Sequence, residues 1–251
     1  MTGRDVPLGI SVVVPVYNEI ENLTALLGEL KPVLDGLGGT FEVLLVDDGS
    51  NDGSSDEIDR LAAADPRVRG IHFERNCGQT AAFDAGFRRA RGRVVVTMDA
   101  DLQNDPADIP RLLGRLDQPD RCDAVVGWRE KRRDSLVRRV SSWVGNTVRN
   151  KLSGDSIRDT GCSLKAFRSE TLERLRLYRG MHRFLPTLLR MDGWLVAEMP
   201  VGHRARPAGT SKYGIANRAV RGFVDLLAVR WMSRRRLAYR IIRETGGTDA
   251  K

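Results

Sequence analysis

Short apolar runs alternate along the chain with stretches in which apolar positions recur every three or four residues. The first run, Ile10 to Val16, is almost continuously apolar, as expected for a parallel strand covered on both faces. Leucines follow at positions 23, 26, 27, 30 and 34, a spacing that predicts an amphipathic helix, interrupted near its end by Pro32. Residues 41–46 predict a second strand, which completes a βαβ unit.

The same alternation continues to residue 128. Apolar runs predict further strands at 68–73, 94–98 and 124–127, with helices at about 81–90 and 109–116 between them. The first of these helices is rich in alanine and glycine, which predicts close packing against its neighbour. Because each strand ends in a polar cluster, the pattern predicts a doubly wound, mostly parallel α/β sheet whose carboxyl edge is one long site.

The second half of the chain has a different pattern. Residues 129–151 combine eight basic residues with valines at helical spacing, which predicts a helix with a very basic face. Residues 194–201 alternate like an edge strand, and about 215–240 predict a last amphipathic helix. We therefore divide the chain into a domain over 1–213, with halves of about 10–128 and 129–213, and a basic helical tail over 214–251.

The net charge of +8 is concentrated in that tail. Residues 203–251 contain 12 Lys and Arg against 3 Asp and Glu, a net charge of +9, whereas residues 1–202 contain 29 basic and 30 acidic residues, a net charge of −1. Such a block is typical of a helix on an anionic membrane surface, of nucleic-acid binding, or of a solvated helix. The apolar side of the helix could contact lipid, its own sheet or a second subunit of a homo-oligomer. Aromatic residues are not interleaved with the basic ones, which argues against nucleic acid.

Composition indicates the class of protein and the compartment in which it works. A chain of 251 residues that is 41% apolar can bury one substantial core. Its three cysteines are too scattered for a disulfide framework or a zinc site, which favours a reducing cytosol. The N-terminus lacks a signal-peptide pattern, and we expect no membrane-spanning segment.

The polar residues with the clearest chemistry follow the fourth predicted strand. Asp99 and Asp101 stand one residue apart there, shortly before Pro106, which suits the first turn of a helix. Ligands bind beyond the carboxyl ends of parallel strands, and Mg²⁺ takes carboxylate oxygens together with substrate phosphates. The pair is therefore a candidate clamp for a metal-bound diphosphate, although two such acids also fit a helix cap with a solvated neighbour.

Five short motifs occur along the chain in a fixed order. They are Pro15-Val16-Tyr17-Asn18-Glu19, Val46-Asp47-Asp48-Gly49-Ser50 with Asp52, Asn76-x-Gly78, Asp99-Ala100-Asp101-Leu102-Gln103 and Asp159-x-Gly161-Cys162. Together they resemble the family 2 glycosyltransferases with a GT-A fold, in particular the branch of dolichol-phosphate mannosyltransferases and bacterial polyprenyl-phosphate glycosyltransferases. The resemblance covers about residues 10–213.

This resemblance implies a metal-dependent, inverting sugar transfer from a nucleoside-diphosphate sugar, a UDP-sugar rather than GDP-mannose, to a polyprenyl phosphate. The enzyme would be peripheral on the cytoplasmic face of the membrane. The nearest alternative is a family member with a saccharide hydroxyl as acceptor, which would need a real base where a phosphate oxygen hardly does. A sugar nucleotidyltransferase would carry a glycine-rich basic loop after the first strand, and this chain lacks one there.

The resemblance also implies roles for individual residues. Mg²⁺ or Mn²⁺ would be held by Asp101 and Gln103, with Asp99 nearest the nucleoside and the diphosphate. The implied catalytic residues are Asp101, Asp159 as a base or acceptor-orienting group, and Arg129 near the phosphates. The implied nucleotide-binding residues are Pro15, Tyr17, Glu19, Asp47, Asp48, Asp99, Arg206 and Lys212.

Other readings of these residues stay open. Asp47 is expected to read the nucleobase, but it could cap a turn instead, and Asp159 could cap the turn at Gly161. Arg206 and Lys212 belong to a basic loop, with Arg204, that is expected to close over the phosphates. The segment His182-Arg183-Phe184 resembles one close to the acceptor.

Overall fold

The structure is a computed structural model that describes residues 9–118, 122–129, 157–205 and 215–237, with the backbone alone for 215–221. Its strands are β1 Ile10–Val16, β2 Phe41–Asp47, β3 Val68–His72, β4 Val94–Thr97, β5 Ala124–Arg129, β6 Lys165–Arg168 and β7 Val196–Val201. Its α-helices are α1 Ile20–Asp35, α2 Ser54–Ala64, α3 Gln79–Arg89, α4 Ile109–Leu116, α5 Ser169–Glu173, α6 Leu185–Met191 and α7 Ile215–Arg234, with 3-10 helices at Pro106–Asp108 and Met181–Phe184.

The seven strands form one sheet in the order β3-β2-β1-β4-β6-β5-β7. The first four are parallel neighbours, and β5 pairs in parallel with β7. β6 lies antiparallel between β4 and β5. The predicted α/β sheet is therefore confirmed as mostly parallel. Its order brings the carboxyl ends of β2, β1 and β4 together at one edge.

Alternate residues of the central strands face two separate cores. Val12 and Val14 of β1 point into a core shared with α1 and α4, whereas Val13 points into one shared with α3, α6 and α7. Because both faces are covered, β1 and β2 read as almost continuous apolar runs. A Cβ on Gly86 of α3 would lie 2.3 Å from Val13 Cγ1, which confirms the close packing predicted for that helix.

The predicted pattern lacks the short helices α5 and α6, and it also lacks α2 and β6, each of these two for a physical reason. α2 buries only Ser54 and Ile58 among its 11 residues, so its apolar periodicity is weak. β6 is four residues long and begins with Lys165. It is inserted between two strands that precede it in the chain, an arrangement that chain order does not indicate.

The prediction that Pro32 interrupts the first helix is wrong. α1 runs without a break from Ile20 to Asp35. Proline removes the hydrogen bond to the carbonyl four residues earlier, here that of Gly28. Both residues lie on the exposed side of the helix, where water can hydrogen-bond that carbonyl. The buried leucines on the other side hold the helix on the sheet.

The C-terminal part agrees with the prediction in outline. β7 is an edge strand, as predicted, and α7 ends at Arg234 rather than near residue 240. The predicted basic helix at 129–151 lies, apart from its first residue, outside the described residues. Within the described ranges, none of the helices has both the length and the apolar character needed to cross a membrane.

Candidate active site

Asp99 and Asp101 lie in the loop between β4 and the 3-10 helix that begins at Pro106. Leu102, which follows the pair and is buried, has a φ of +59°, a left-handed conformation that non-glycine residues rarely adopt. Across this turn, the backbone N–H of Gln103 donates to Asp101 Oδ1 at 3.2 Å. The three predicted metal ligands are therefore held within one tight turn.

A buried amide ties this turn to the segment that precedes β6. Asn104 Oδ1 accepts hydrogen bonds from the Asp99 N–H at 3.3 Å and from the Ser163 hydroxyl at 2.7 Å. Asn104 also forms a β-bridge with His203. Three segments that are distant in sequence meet at Asn104. The prediction missed Asn104 and Ser163, because single polar residues outside a periodic pattern give no signal.

The surroundings of Asp99 disfavour its negative charge. Burial, followed by repulsion from Asp101, raises the pKa of Asp99 to about 6. Three neighbouring groups act in the opposite direction, and these are Ser163, Lys165 and Arg129. The carboxylate is mostly ionised at neutral pH, but in an environment that a bound cation would improve.

A buried lysine next to the acid pair was also missed. Lys165 opens β6 opposite Thr97 of β4, and its ammonium donates to the carbonyl of Cys162. Burial lowers the pKa of Lys165, against the attraction of nearby groups that include Asp99 and Asp159. Lysine is rarely buried without a charged or polar partner, so its place in an apolar run is the signal that could have marked it.

Arg129 and Asp159 form a two-pronged ion pair. Arg129 Nε donates to Asp159 Oδ2 at 2.7 Å, and a terminal nitrogen donates to Oδ1 at 2.9 Å. Both side chains are mostly buried. Burial alone would lower the pKa of Arg129, but the bond to Asp159 raises it. Asp159, predicted for the acceptor side, and Arg129, predicted near the phosphates, are thus brought together, and the Gly161 N–H also donates to Asp159 at 3.1 Å.

Asp47 ends β2 with its carboxylate almost completely buried, at 2% side-chain exposure. It accepts hydrogen bonds from the Ser50 N–H at 3.0 Å and from the Ser55 hydroxyl, and His72 Nδ1 lies 3.3 Å away. Burial alone would raise the pKa of Asp47, but these bonds hold it below its usual value. The carboxylate therefore anchors the turn after β2, and direct contact with a nucleobase stays a prediction.

Asp48 holds the loop between β3 and α3. Its carboxylate accepts the N–H groups of Cys77 at 2.6 Å and Gly78 at 2.9 Å, and the Asn76 side chain at 3.0 Å. Burial raises the pKa of Asp48, and the two N–H groups act against that rise. The loop leads directly into α3, whose first residue, Gln79, contacts Asp99.

The motif at the end of β1 is joined to the same region. Pro15 pairs with Val46 of β2. Beyond it, the N–H of Asn18 donates to Ser50 Oγ at 2.9 Å, and the N–H of Glu19 donates to Ser54 Oγ at 3.0 Å. The partly buried Tyr17 directly precedes these two anchored positions in the chain. The predicted nucleotide-site residues of β1 and β2 therefore occupy one corner of the sheet.

The remaining predicted residues are placed less centrally. Arg204 pairs with Glu29 at 2.5 Å and with Asp105 at 2.8 Å, so its guanidinium is held by acids of this chain. His182 Nδ1 lies 2.7 Å from the hydroxyl of Thr80 in α3. Arg206 and Lys212 lie outside the described residues.

The donor set limits how a metal could bind. Among the described residues, no three His, Cys, Asp or Glu side chains converge on one point. Mg²⁺ and Mn²⁺ are commonly bound through one or two carboxylates, with substrate phosphates and water completing the shell. Asp99 and Asp101, close enough for repulsion to raise one pKa, fit that mode of binding.

The sequence is similar to that of proteins whose activity is known. The profile of Glycosyl transferase family 2 matches residues 11–176. The chain is 38% identical over 231 residues to the dodecaprenyl-phosphate galacturonate synthase of Rhizobium johnstonii, covering 90% of this chain and 68% of that protein. It is 40% identical over 216 residues to the undecaprenyl-phosphate 4-deoxy-4-formamido-L-arabinose transferase of Aeromonas hydrophila, covering 86% and 65%. The chain thus spans about two thirds of the length of these relatives.

Solved structures agree on the fold. Glucosyl-3-phosphoglycerate synthase from Mycobacterium tuberculosis, in complex with Mn²⁺, UDP and glucosyl-3-phosphoglycerate, matches with a TM-score of 0.66 at 20% identity, covering 90% of this chain and 80% of that one. A mannosyltransferase from Pyrobaculum calidifontis, bound to GDP-mannose and Mn²⁺, matches with a TM-score of 0.60 at 21% identity, covering 90% and 70%.

The mostly parallel sheet and its likeness to these structures show a GT-A fold, and with the profile match they define the class of GT-A-fold glycosyltransferases. Within that class, the chain belongs to glycosyltransferase family 2. The predicted family and fold are both confirmed.

Proposed function

We propose that the protein transfers a sugar from a nucleoside-diphosphate sugar to a polyprenyl phosphate, with inversion and with a divalent metal. The proposed binding of the sugar donor rests on one observation, the Asp99–Asp101 turn. This turn lies at the carboxyl edge of the sheet, next to the anchored turns of β1 and β2. The acceptor class is supported by two relatives, at 38% and 40% identity, whose names specify polyprenyl phosphates. A UDP-sugar is the favoured donor.

The residues present fit Mg²⁺ or Mn²⁺ at this turn. Asp101, Gln103 and Asp99 would hold the ion, and a bound ion neutralises charge on a departing nucleoside diphosphate. The protein's own part is to hold the two carboxylates together against their repulsion, which the buried Asn104 and Ser163 do through the backbone of the turn. We expect Tyr17, Glu19 and the Pro15 turn to line the nucleoside side of the cleft.

The ion pair of Arg129 and Asp159 supports a phosphate acceptor. A phosphate oxygen is ionised near neutral pH and needs little help from a base, whereas a sugar hydroxyl must lose a proton. A carboxylate whose two oxygens both accept hydrogen bonds from a guanidinium is a weaker base. We propose that Asp159 positions Arg129, and that Arg129 contributes charge near the phosphates.

The direct test is an extraction assay. The protein is incubated with radiolabelled UDP- and GDP-sugars, Mn²⁺ and undecaprenyl phosphate, and the label is then partitioned between lipid and water. Label from a UDP-sugar in the lipid phase is expected, and label that stays in water would reject the proposed acceptor. Asp159→Asn separates the two acceptor classes, because it should nearly abolish transfer to a hydroxyl and leave much of the transfer to a phosphate.

We further propose that α7 rests on the anionic cytoplasmic face of the membrane. Leu226 and Val229 of this helix are buried in the core beside α3 and α6. Four other apolar side chains of the helix are 43–64% exposed, and these are Phe223, Val224, Leu227 and Trp231. At 100° per residue they lie within about 100° of one another, on the side away from the buried pair. Exposed arginines follow at 234–236, and each can add about 1 kcal/mol on an anionic surface.

Vesicle sedimentation tests this placement. The protein is expected to sediment with phosphatidylglycerol vesicles, less so with phosphatidylcholine or at high salt. The double variant F223S/W231S should release it, whereas L195S, which removes an equally exposed leucine elsewhere, should not. Unchanged sedimentation of F223S/W231S would reject this face. A dimer that the double variant dissociates, without vesicle binding, would assign the face to a second copy.

A further inference from the structure

Gln79, a residue outside every predicted site, makes a short side-chain hydrogen bond to the acid pair. Its amide Nε2 donates to Asp99 Oδ1 at 2.7 Å. It is the first residue of α3, directly after Gly78, which has a φ of +94°. Its side chain thus reaches from the β3–α3 loop to the loop after β4.

The backbone under Gln79 is fixed on both sides. Asp48 accepts three donors from residues 76–78, as described above. Gly49 lets the turn after β2 lie against the same loop, because a Cβ there would be 2.4 Å from the carbonyl carbon of Arg75. An aspartate of β2 therefore sets the start of α3, and α3 presents its amide to an aspartate beyond β4.

The chemistry of this contact suits a cation site. A carboxylate beside a second carboxylate would turn away from it unless a donor fixed its direction. Lys165 and Arg129 already offset part of the negative charge of Asp99, and a further arginine or lysine in direct contact would reduce its attraction for a cation. A neutral amide orients the carboxylate without adding positive charge, and carboxylates that bind metals are commonly hydrogen-bonded in this way.

We propose that Gln79 is a positioning residue for the metal and diphosphate, acting through Asp99, and that Asp48 serves the same site by holding the loop before Gln79. This inference rests on the proposed metal-dependent binding of a nucleoside diphosphate. It assigns the site a residue whose contact is to Asp99 rather than to substrate.

The test uses UDP with Mn²⁺ or with EDTA, measured by calorimetry on the full chain. Gln79→Met keeps the length of the side chain and removes its donor. One lost hydrogen bond to a charged group predicts about tenfold weaker binding of UDP in Mn²⁺. Binding in EDTA should change less than about twofold, because nucleoside contacts are intact, and the melting temperature should be unchanged. Gln118→Met, at an exposed glutamine away from the site, is the matched control.

The outcomes distinguish a failure of the proposed function from a failure of the role proposed for Gln79. If the wild type shows no Mn²⁺-dependent gain in UDP binding, the proposed function fails, and this inference fails with it. If the wild type shows the gain and Gln79→Met shows the same gain, only the role of Gln79 is overturned. Equal weakening in Mn²⁺ and in EDTA would make Gln79 a general support of the fold. Gln79→Asn, whose amide is too short to reach Asp99, should repeat the Mn²⁺-specific loss if Gln79→Met proves unstable.

Discussion

Asp47 and Asp48 at the end of β2, and Asp99 and Asp101 beyond β4, lie on the same edge of the sheet with β1 between the two strands. The β2 pair is buried and surrounded by donors from its own loops. In the β4 pair, burial and mutual repulsion raise the pKa of Asp99 to about 6. The same residue type thus serves as an anchor in one place and, in the other, as a site that a cation would stabilise.

The difference follows from the hydrogen-bond donors that lie near the end of each strand. The carboxylates of the β2 pair accept the hydroxyl of Ser55 and three backbone N–H groups, those of Ser50, Cys77 and Gly78, so both carboxylates have donors within the protein. After β4, Asn104 accepts the N–H of Asp99 instead, and the amide of Gln79 donates to the Asp99 carboxylate at 2.7 Å. The hydrogen bonds to Asp47 lower its pKa, so its charge stabilises the fold at neutral pH. The pKa values of Asp48 and Asp99 are raised, so their buried charges cost stability there, and a cation bound at the β4 pair would offset the cost at Asp99.

The largest effect is expected where the β4 pair loses a charge. Asp101→Asn should lower kcat/KM by about a thousandfold or more, equivalent to about 4 kcal/mol, because the amide is a poor cation ligand. Its melting temperature should stay close to that of the wild type. Steady-state kinetics and a thermal melt check this, with the exposed Asp117→Asn as the control. Turnover that survives in Asp101→Asn would remove the basis of the proposed mechanism.

A substitution in the β2 pair should first lower the stability of the fold. Asp47→Ala leaves the Ser50 N–H and the Ser55 hydroxyl without their acceptor, so we expect a loss of about 2–4 kcal/mol in the free energy of unfolding. Urea unfolding measures it against Asp117→Ala. If unfolding is unchanged but the preference for UDP over GDP shifts, Asp47 contacts the base as the resemblance implied.

The contrast between the pairs also shows what sequence could predict. The pattern of apolar runs was sufficient for the strands up to β5, because most of them are largely apolar and lie between polar turns. The motif order was sufficient for the family. Lys165 and Ser163 escaped prediction because they reach the acid pair through β6, a short antiparallel insertion that only tertiary pairing reveals. Gln79 escaped because its partner lies 20 residues away in a different loop.

The role of the β2 aspartates was hardest to foresee. Nothing in Val46-Asp47-Asp48-Gly49-Ser50 distinguishes a carboxylate that faces a ligand from one that faces its own turn. That distinction depends on donors at residues 55, 72 and 76–78, which the fold brings to Asp47 and Asp48. A motif can therefore identify a family while the task of each of its residues depends on tertiary contacts.

A smaller effect is expected from the raised pKa of Asp99. Its folded value is about 6 and its ordinary value 3.8, so the folded state binds more protons in that window and loses stability as pH rises through it. The difference of about two pKa units corresponds to at most about 3 kcal/mol, and partial exposure reduces it. Asp99→Asn lacks this penalty, so its advantage in metal-free urea unfolding should grow from pH 4 to pH 7. A constant difference across that range would contradict the pKa assignment.

The smallest effect on stability is expected from substituting an acidic residue that is neither buried nor next to another acidic residue. Glu29 pairs with Arg204 at 2.5 Å, with both side chains 42% exposed, and Arg204 also reaches Asp105. Exposed pairs contribute little because water screens them and two long side chains must be ordered. Glu29→Gln should therefore cost less than about 1 kcal/mol in urea unfolding, and the cost should vanish in 1 M NaCl, where the screening length falls to about 3 Å. A cost of several kcal/mol that survives salt would mean that Arg204 holds its loop as firmly as Asp48 holds the loop before α3.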